Sequence, residues 1–203
     1  MSRARTTLIW GSLATVLAVP VASAAASPLL AWRDPVYIAA GFAGIIAMAL
    51  MLVQPMMVGG YLPGLPTHRH RRIHRGIGSF LVFAVVIHVS ALGVTSPPDV
   101  VDALLFVSPT PFSVWGVIAM WALFATALLA AFRTRLRLRP STWRIGHTVF
   151  AVLIVAGSAV HAMLVEGTME TVSKTALCAL VLGATAKVVF DFRVWKIPAH
   201  RRT

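Results

Sequence analysis

Two apolar stretches of this 203-residue sequence each contain two histidines with the same spacing. His74 and His88 are 14 residues apart, and so are His147 and His161. In an α-helix, 14 steps of about 100° return to within about 40° of the starting direction, with a rise of about 21 Å. Each stretch therefore presents two imidazoles on one helix face, one toward each leaflet of a hydrocarbon core about 30 Å thick.

Ionisable side chains inside a membrane span are rare, and most of them have a function. If the two helices lie side by side and run in the same direction, His74 faces His147 and His88 faces His161. Neutral imidazole is a good iron ligand, and a planar haem fits between two helices that hold its iron from both sides. The spacing therefore predicts two bis-histidine haems b. Small residues that would leave room for a macrocycle one turn from each ligand are Gly78, Ala84, Ala151 and Gly157.

Other roles for the histidines stay open at this point. A single histidine in a span can instead be a hydrogen-bond donor between helices. His70 and His74 form an H-x-x-x-H pattern of the kind that membrane hydroxylases use for non-haem iron, but this alternative leaves His88 and His161 without a role. The histidines expected in the basic linker or the tail, without a ligand role, are His68, His70 and His200.

Composition indicates which elements position these histidines. Apolar residues make up 58% and charged residues 12%, with a mean hydropathy of +0.83. A soluble domain has about 25% charged residues, so soluble and disordered chains are both excluded, and one cysteine excludes a disulfide framework. The prediction is an all-α polytopic membrane protein, a six-transmembrane-helix bundle forming one domain over residues 1–203. The predicted spans are 7–26, 36–57, 77–95, 112–132, 147–165 and 175–190.

The distribution of charge predicts the orientation of the bundle. The net charge is +12, and 16 of the 18 Lys and Arg residues lie at the two termini and in the second and fourth linkers. The positive-inside rule then places both termini in the cytoplasm. Membrane orientation and attraction to anionic membrane lipid together explain the positive net charge, so no nucleic-acid partner is expected. The first span, with Arg3 and Arg5 before it and small residues at 22–26, is also typical of a cleaved signal peptide.

The segments that contain the cytoplasmic histidines have a family resemblance. They are residues 72–78 (RIHRGIG), leading to His88, and residues 143–147 (WRIGH), leading to His161. With these segments and its six spans, the chain resembles the ferric reductase-like transmembrane family. That family includes the membrane cores of ferric reductases and NADPH oxidases and the haem-binding membrane subunit of the bacterial methionine sulfoxide reductase system. The resemblance implies haem ligands at His74, His88, His147 and His161.

The electron donor is expected to be separate from this chain. Ferric reductases and NADPH oxidases continue into a cytoplasmic flavin and nicotinamide domain, whereas no Gly-rich dinucleotide fingerprint is present here. The expected donors are a separate cytoplasmic reductase, a flavin at the cytoplasmic face, or membrane quinol. Arg75 and Arg144 lie beside the cytoplasmic ligands and could hold a haem propionate by paired hydrogen bonds. Alternatively, these two arginines only follow the positive-inside rule.

These features together predict a membrane cytochrome b, the transmembrane electron-transfer component of an oxidoreductase in a bacterial inner membrane. It would carry electrons from the cytoplasmic side to a periplasmic or extracellular acceptor. Two imidazoles on each iron leave no open coordination position, which favours electron transfer over oxygen binding. One alternative is a quinone-linked cytochrome b subunit of a respiratory complex, or a protein of the b561 type. A second alternative is a transporter or assembly factor without a cofactor.

Overall fold

The computed structural model describes residues 2–167 and 169–192, and these residues form helices joined by short connections, with no strand among them. Six helices are long and apolar enough to cross a membrane, which confirms the all-α, six-span prediction. The short α4 and a 3₁₀ turn at Pro28–Trp32 lie in the connections. The α-helices are α1 Arg3–Ala25, α2 Pro35–Val58, α3 Thr67–Thr95, α4 Pro97–Leu104, α5 Pro111–Phe132, α6 Pro140–Leu164 and α7 Thr171–Asp191.

Two helices begin well before the spans predicted from hydropathy. The helix α3 starts at Thr67 rather than at position 77, and α6 starts at Pro140 rather than at position 147. The assignment of His70 to a linker was therefore wrong, because this residue lies in α3. Hydropathy marks only the part of a helix that lies in hydrocarbon, whereas arginine is a good helix former and extends a helix into the headgroup region. Other residues moved from linker to helix are His68, Arg69, Arg71, Arg72, Arg75 and Arg144.

Residues 96–98, which follow the third predicted span, contain the start of α4. Pro97 occupies the first helical position, where its missing N–H would be unpaired in any case and its fixed φ suits a helix. Prolines likewise open α2, α5 and α6. The prolines of this chain therefore mark helix starts as well as turns.

Two helical hairpins form the centre of the bundle. The helix α3 packs mainly on α2, and α6 packs mainly on α5, while α7 contacts both α2 and α6. The two histidine-bearing helices thus each have a histidine-free helix as their main neighbour, and they do not pack closely on each other. Buried methionine and leucine side chains join the hairpins, among them Met48, Met51, Leu123 and Leu177.

Contacts of the loop after α2 with other helices show which helix ends lie at the same end of the bundle. One end of the bundle, called the basic end below, is where α2, α5 and α7 end and α3 and α6 begin. There the indole of Trp10 donates to the carbonyl of Pro63 at 3.2 Å, and the Tyr61 hydroxyl donates to Asp191 at 2.5 Å. This hydrogen bond to Asp191 raises the pKa of Tyr61 above its usual range. Lys187 also pairs with Asp191 at 2.8 Å, so the loop after α2 is fixed to the end of α7.

The opposite end of the bundle is held by the connection between α6 and α7. The carboxylate of Glu170 accepts from the backbone N–H groups of Val172 at 2.7 Å and Ser173 at 2.8 Å, so it caps α7. These bonds, with that of Ser173 the stronger cause, lower the pKa of Glu170. The buried Lys174 donates to the carbonyl of Val165 at 2.9 Å and satisfies the end of α6.

Candidate functional site

The structure brings the four span histidines together as two facing pairs. His74 on α3 faces His147 on α6, with ring centroids 6.1 Å apart and an angle of 72° between the ring planes. His88 and His161 face each other on the same two helices at 6.4 Å and 83°. We call His74 and His147 the inner pair, because they lie nearer the basic end, and His88 and His161 the outer pair.

Both rings of the outer pair are oriented by backbone carbonyls of the neighbouring helix. Nδ1 of His88 lies 2.7 Å from the carbonyl oxygen of Ala40 on α2, and Nδ1 of His161 lies 2.9 Å from that of Phe112 on α5. A carbonyl can only accept, so each Nδ1 carries the proton and donates. Each Nε2 then keeps its lone pair and has no hydrogen bond to any described residue. This is the arrangement that metal-ligating histidines adopt in proteins.

Each outer ring lies against a glycine one turn after the carbonyl that holds it. A Cβ at Gly44 would lie 3.1 Å from Nδ1 of His88, and a Cβ at Gly116 would lie 2.7 Å from Nδ1 of His161. Neither glycine was predicted from the sequence. Gly44 precedes Gly116 by 72 residues and His88 precedes His161 by 73, but these intervals do not identify the role of the glycines without the packing of the helices.

The inner pair is supported differently on its two sides. The side-chain amide of Gln54 on α2 hydrogen-bonds Nδ1 of His74. Nδ1 of His147 is buried and has no hydrogen-bond partner among the described residues. The His147 ring instead stacks on Trp143 at 5.2 Å and 20°, and the guanidinium of Arg133 lies 5.1 Å from the centre of that indole. The sequence analysis did not select Gln54, although a lone amide in an apolar span is itself a signal.

The glycines next to the ligands have a different role from the one expected. A Cβ at Gly78 would meet the Gln54 amide at 3.1 Å, and a Cβ at Gly157 would meet the carbonyl of Trp115 on α5 at 3.0 Å. Both glycines therefore serve close packing of α3 on α2 and of α6 on α5. The expectation that they leave room for a macrocycle was wrong for these two positions. Ala84 is buried in the core cluster.

The remaining candidate residues lie around the basic end. Arg75 and Arg144 are exposed, and their guanidinium groups form no ion pair or hydrogen bond within the described part of the chain. Their role toward a propionate therefore stays a prediction. Nε2 of His70 is buried and has no partner among the described residues, so this side chain is not a solvated linker residue. His200 lies outside the described residues.

The distances between the rings fit an iron held from both sides. A metal–imidazole bond of about 2.0 Å, plus about 1.1 Å from nitrogen to ring centre, places two coaxial imidazole centroids about 6.2 Å apart. The observed 6.1 and 6.4 Å agree with this at both levels. Within residues 2–167 and 169–192 no group of three or more His, Cys, Asp or Glu side chains could hold a bare ion. A haem supplies four nitrogens of its own, so two histidines complete its coordination.

Comparison with known families matches the chain to the ferric reductase like transmembrane component family over residues 40–158. The matched region includes most of α2, all of α3 and α5, and most of α6. It contains His74, His88 and His147, and His161 lies three residues beyond it. Comparisons with curated proteins and with solved structures gave no match. With more than half of its length matched, this integral membrane chain belongs to the ferric reductase-like transmembrane family, whose domains are associated with electron transfer in membranes.

Proposed function

We propose that the protein is a membrane cytochrome b that carries electrons across a bacterial inner membrane through two bis-histidine haems. The observation that carries this proposal is the spacing of the two histidine pairs, 6.1 and 6.4 Å between ring centroids on the same two helices. When bound, haem iron supplies a one-electron carrier that alternates between the ferric and ferrous states. The four histidines would hold it at two levels.

The protein's own groups prepare the outer pair for this role. The carbonyls of Ala40 and Phe112 select the Nδ1–H tautomer of His88 and His161. The same hydrogen bonds fix each ring against rotation, so that both ligand atoms are in place before any cofactor binds. Two imidazoles on one haem iron would leave no open coordination position, so the site would favour electron transfer over binding of oxygen.

The proposed direction of electron flow follows from the charge of the bundle. The basic end carries most of the arginines and is assigned to the cytoplasm by the positive-inside rule. The donor, which we propose to be a separate reductase, a flavin or a quinol, would therefore meet the inner pair first. Arg75 and Arg144 are exposed at this end, where they can bind a propionate or another anionic group. The acceptor would meet the outer pair on the periplasmic or extracellular side.

The test is the haem content of the full-length protein, purified in detergent and measured by the pyridine haemochrome assay. We expect two haems b per chain and a reduced-minus-oxidised spectrum of the b type. The double variant His88→Ala/His161→Ala should retain one haem, and His200→Ala is the matched control that should retain two. A colourless wild-type protein would contradict the proposal and favour a transporter or assembly factor.

The same preparation separates the flavoprotein-linked and quinone-linked alternatives. Anaerobic addition of a short-chain quinol without any flavoprotein should leave the haems oxidised if a separate reductase is the donor. Rapid full reduction by quinol alone would indicate the quinone-linked cytochrome b instead.

A further inference from the structure

The side chain of Gln54 is exceptional in its helix. The span α2 has the highest hydropathy of the six, and Gln54 is its one amide side chain. A side-chain amide placed in hydrocarbon is unfavourable unless it is hydrogen-bonded, and polar residues retained in spans usually serve a site. The packing of α2 against α3 brings this amide to His74.

The Gln54 amide can meet His74 in two orientations, and each suits one tautomer of the imidazole. With its NH₂ group toward the ring, it donates to a bare Nδ1 and to the His74 carbonyl at 3.3 Å, while its oxygen accepts from Gly78 N–H at 2.8 Å. The ring proton is then on Nε2, which cannot bind a metal. With its oxygen toward the ring, the amide accepts from Nδ1–H, and Nε2 keeps its lone pair.

The second orientation exchanges hydrogen bonds: the amide gains the bond from Nδ1–H, gives up the His74 carbonyl, and brings its NH₂ group to 2.8 Å from the Gly78 N–H. The N–H of Gly78 lies four residues after His74, so it already has the His74 carbonyl as its helical partner and does not depend on Gln54. A turn of the amide therefore leaves no donor of the helix unpaired. The turn nevertheless has a cost at the amide itself, which binding of Nε2 to iron would have to offset.

We infer that Gln54 is the positioning residue of the inner site and that its amide turns over when Nε2 of His74 binds iron. This inference rests on the proposed function. In the bound state the amide oxygen accepts from Nδ1–H, which raises the basicity of the ligand and stabilises ferric over ferrous iron. Gln54 thereby sets the reduction potential of the inner site through His74.

The other ring of the inner pair has no such partner. Gln54 precedes Thr126 on α5 by the same number of residues by which Gly44 precedes Gly116. The Thr126 hydroxyl donates to the carbonyl of Ala122 in its own helix at 2.7 Å. Nδ1 of His147 remains unpaired within the part of the chain that is described. Among the described residues, adjustment of the inner potential by hydrogen bonding therefore acts through His74.

Two substitutions of Gln54 should move the inner potential in opposite directions. Gln54→Glu supplies an anionic acceptor to Nδ1–H, so the inner haem should become harder to reduce. Gln54→Leu removes the acceptor, so the inner haem should become easier to reduce. Loss of the hydrogen-bond partner of a metal-ligating histidine commonly changes metal affinity or activity by about tenfold or more. A tenfold change in the reduction equilibrium corresponds to a shift of about 59 mV for one electron.

The experiment is a spectroscopic redox titration of the purified full-length protein, with the inner component assigned as the one that His74→Ala removes. Thr126→Val is the matched control and should shift neither component. Opposite shifts confined to the inner component support the inference, as does loss of the inner haem in Gln54→Leu with its retention in Gln54→Glu. Unchanged potentials, shifts of the same sign, or loss of haem from both variants would overturn it. A wild-type protein without haem would instead refute the proposed function.

Discussion

The glycine beneath His161 offers the sharpest test of the outer site. In Gly116→Ala the new methyl carbon would lie 2.7 Å from Nδ1 and 2.9 Å from Cε1 of the ring, well inside ordinary contact. The ring cannot move away without lengthening its 2.9 Å hydrogen bond to the carbonyl of Phe112. Loss of that bond costs about 0.5–1.5 kcal/mol, and overpacking adds about 1–3 kcal/mol. The gain in helix propensity from Gly to Ala offsets about 1 kcal/mol of this.

The net expectation is a loss of about 2 kcal/mol in the stability of the folded protein, with a lower haem content at the outer site because the displaced ring no longer holds Nε2 in place. The assay is haem per chain during dilution of the purified protein, with its thermal stability measured in parallel. Gly44→Ala should have a smaller effect, because its Cβ would lie 3.1 Å from the His88 ring. Gly183→Ala on α7 meets nothing within 4 Å and is the neutral control. Full haem content in Gly116→Ala, or equal loss in Gly183→Ala, would refute the packing argument.

Three further expectations concern the ligands, the topology and the pH dependence. Alanine at His88 or His161 should empty only the outer site, and alanine at His74 or His147 should empty only the inner one. The reason is that ligands about 21 Å apart along a helix cannot share an iron. Optical and EPR spectra in which one substitution removes both haems would argue against separate sites. A reporter fused to the C-terminus should be active in the cytoplasm, and activity only in the periplasm would reverse the proposed electron flow. Glu170→Gln should lower the melting temperature at neutral pH. Because folding lowers the pKa of this carboxyl, its stabilising effect is present above the ordinary value of 4.5 and disappears as the pH falls through the folded-state pKa. The melting temperatures of wild type and variant should therefore converge in acid.

The sequence predicted the spans and the histidine pairs for the same reason, namely that both depend on short-range periodicity. An apolar run defines a span, and the equal histidine intervals place His74 and His88 on one face of a single helix. The predicted starts of α3 and α6 were late, because hydropathy does not follow a helix into its arginine-rich first turns. Helix propensity and the position of Pro140 would have corrected the start of α6.

The groups that support the ligands could not be predicted in the same way. The carbonyls of Ala40 and Phe112 and the glycines Gly44 and Gly116 act on histidines that are distant in the sequence, so no local pattern links them. Their roles depend on the packing of α2 on α3 and of α5 on α6. Backbone carbonyls also have no sequence signature, because any residue type can supply one.

The two hairpins nevertheless support their outer histidines in the same way. Ala40 and Gly44 of the first hairpin correspond, at one constant offset, to Phe112 and Gly116 of the second. Each carbonyl and each glycine serves the outer histidine of its own hairpin. At the outer level the two halves are therefore equivalent in their chemistry. This equivalence is expected where both rings must present the same nitrogen to one iron.

At the inner level the supports of the two histidines differ. Gln54 reaches across to His74, whereas its counterpart Thr126 bonds only its own helix and leaves Nδ1 of His147 unpaired among the described residues. A buried ring nitrogen without a partner costs about 1–3 kcal/mol, so the difference is not neutral for the fold. It falls at the basic end, where the electron donor is proposed to bind. Under the proposed function, the two halves thus differ in the support of the site that would accept the electron, and they agree at the site that would pass it on.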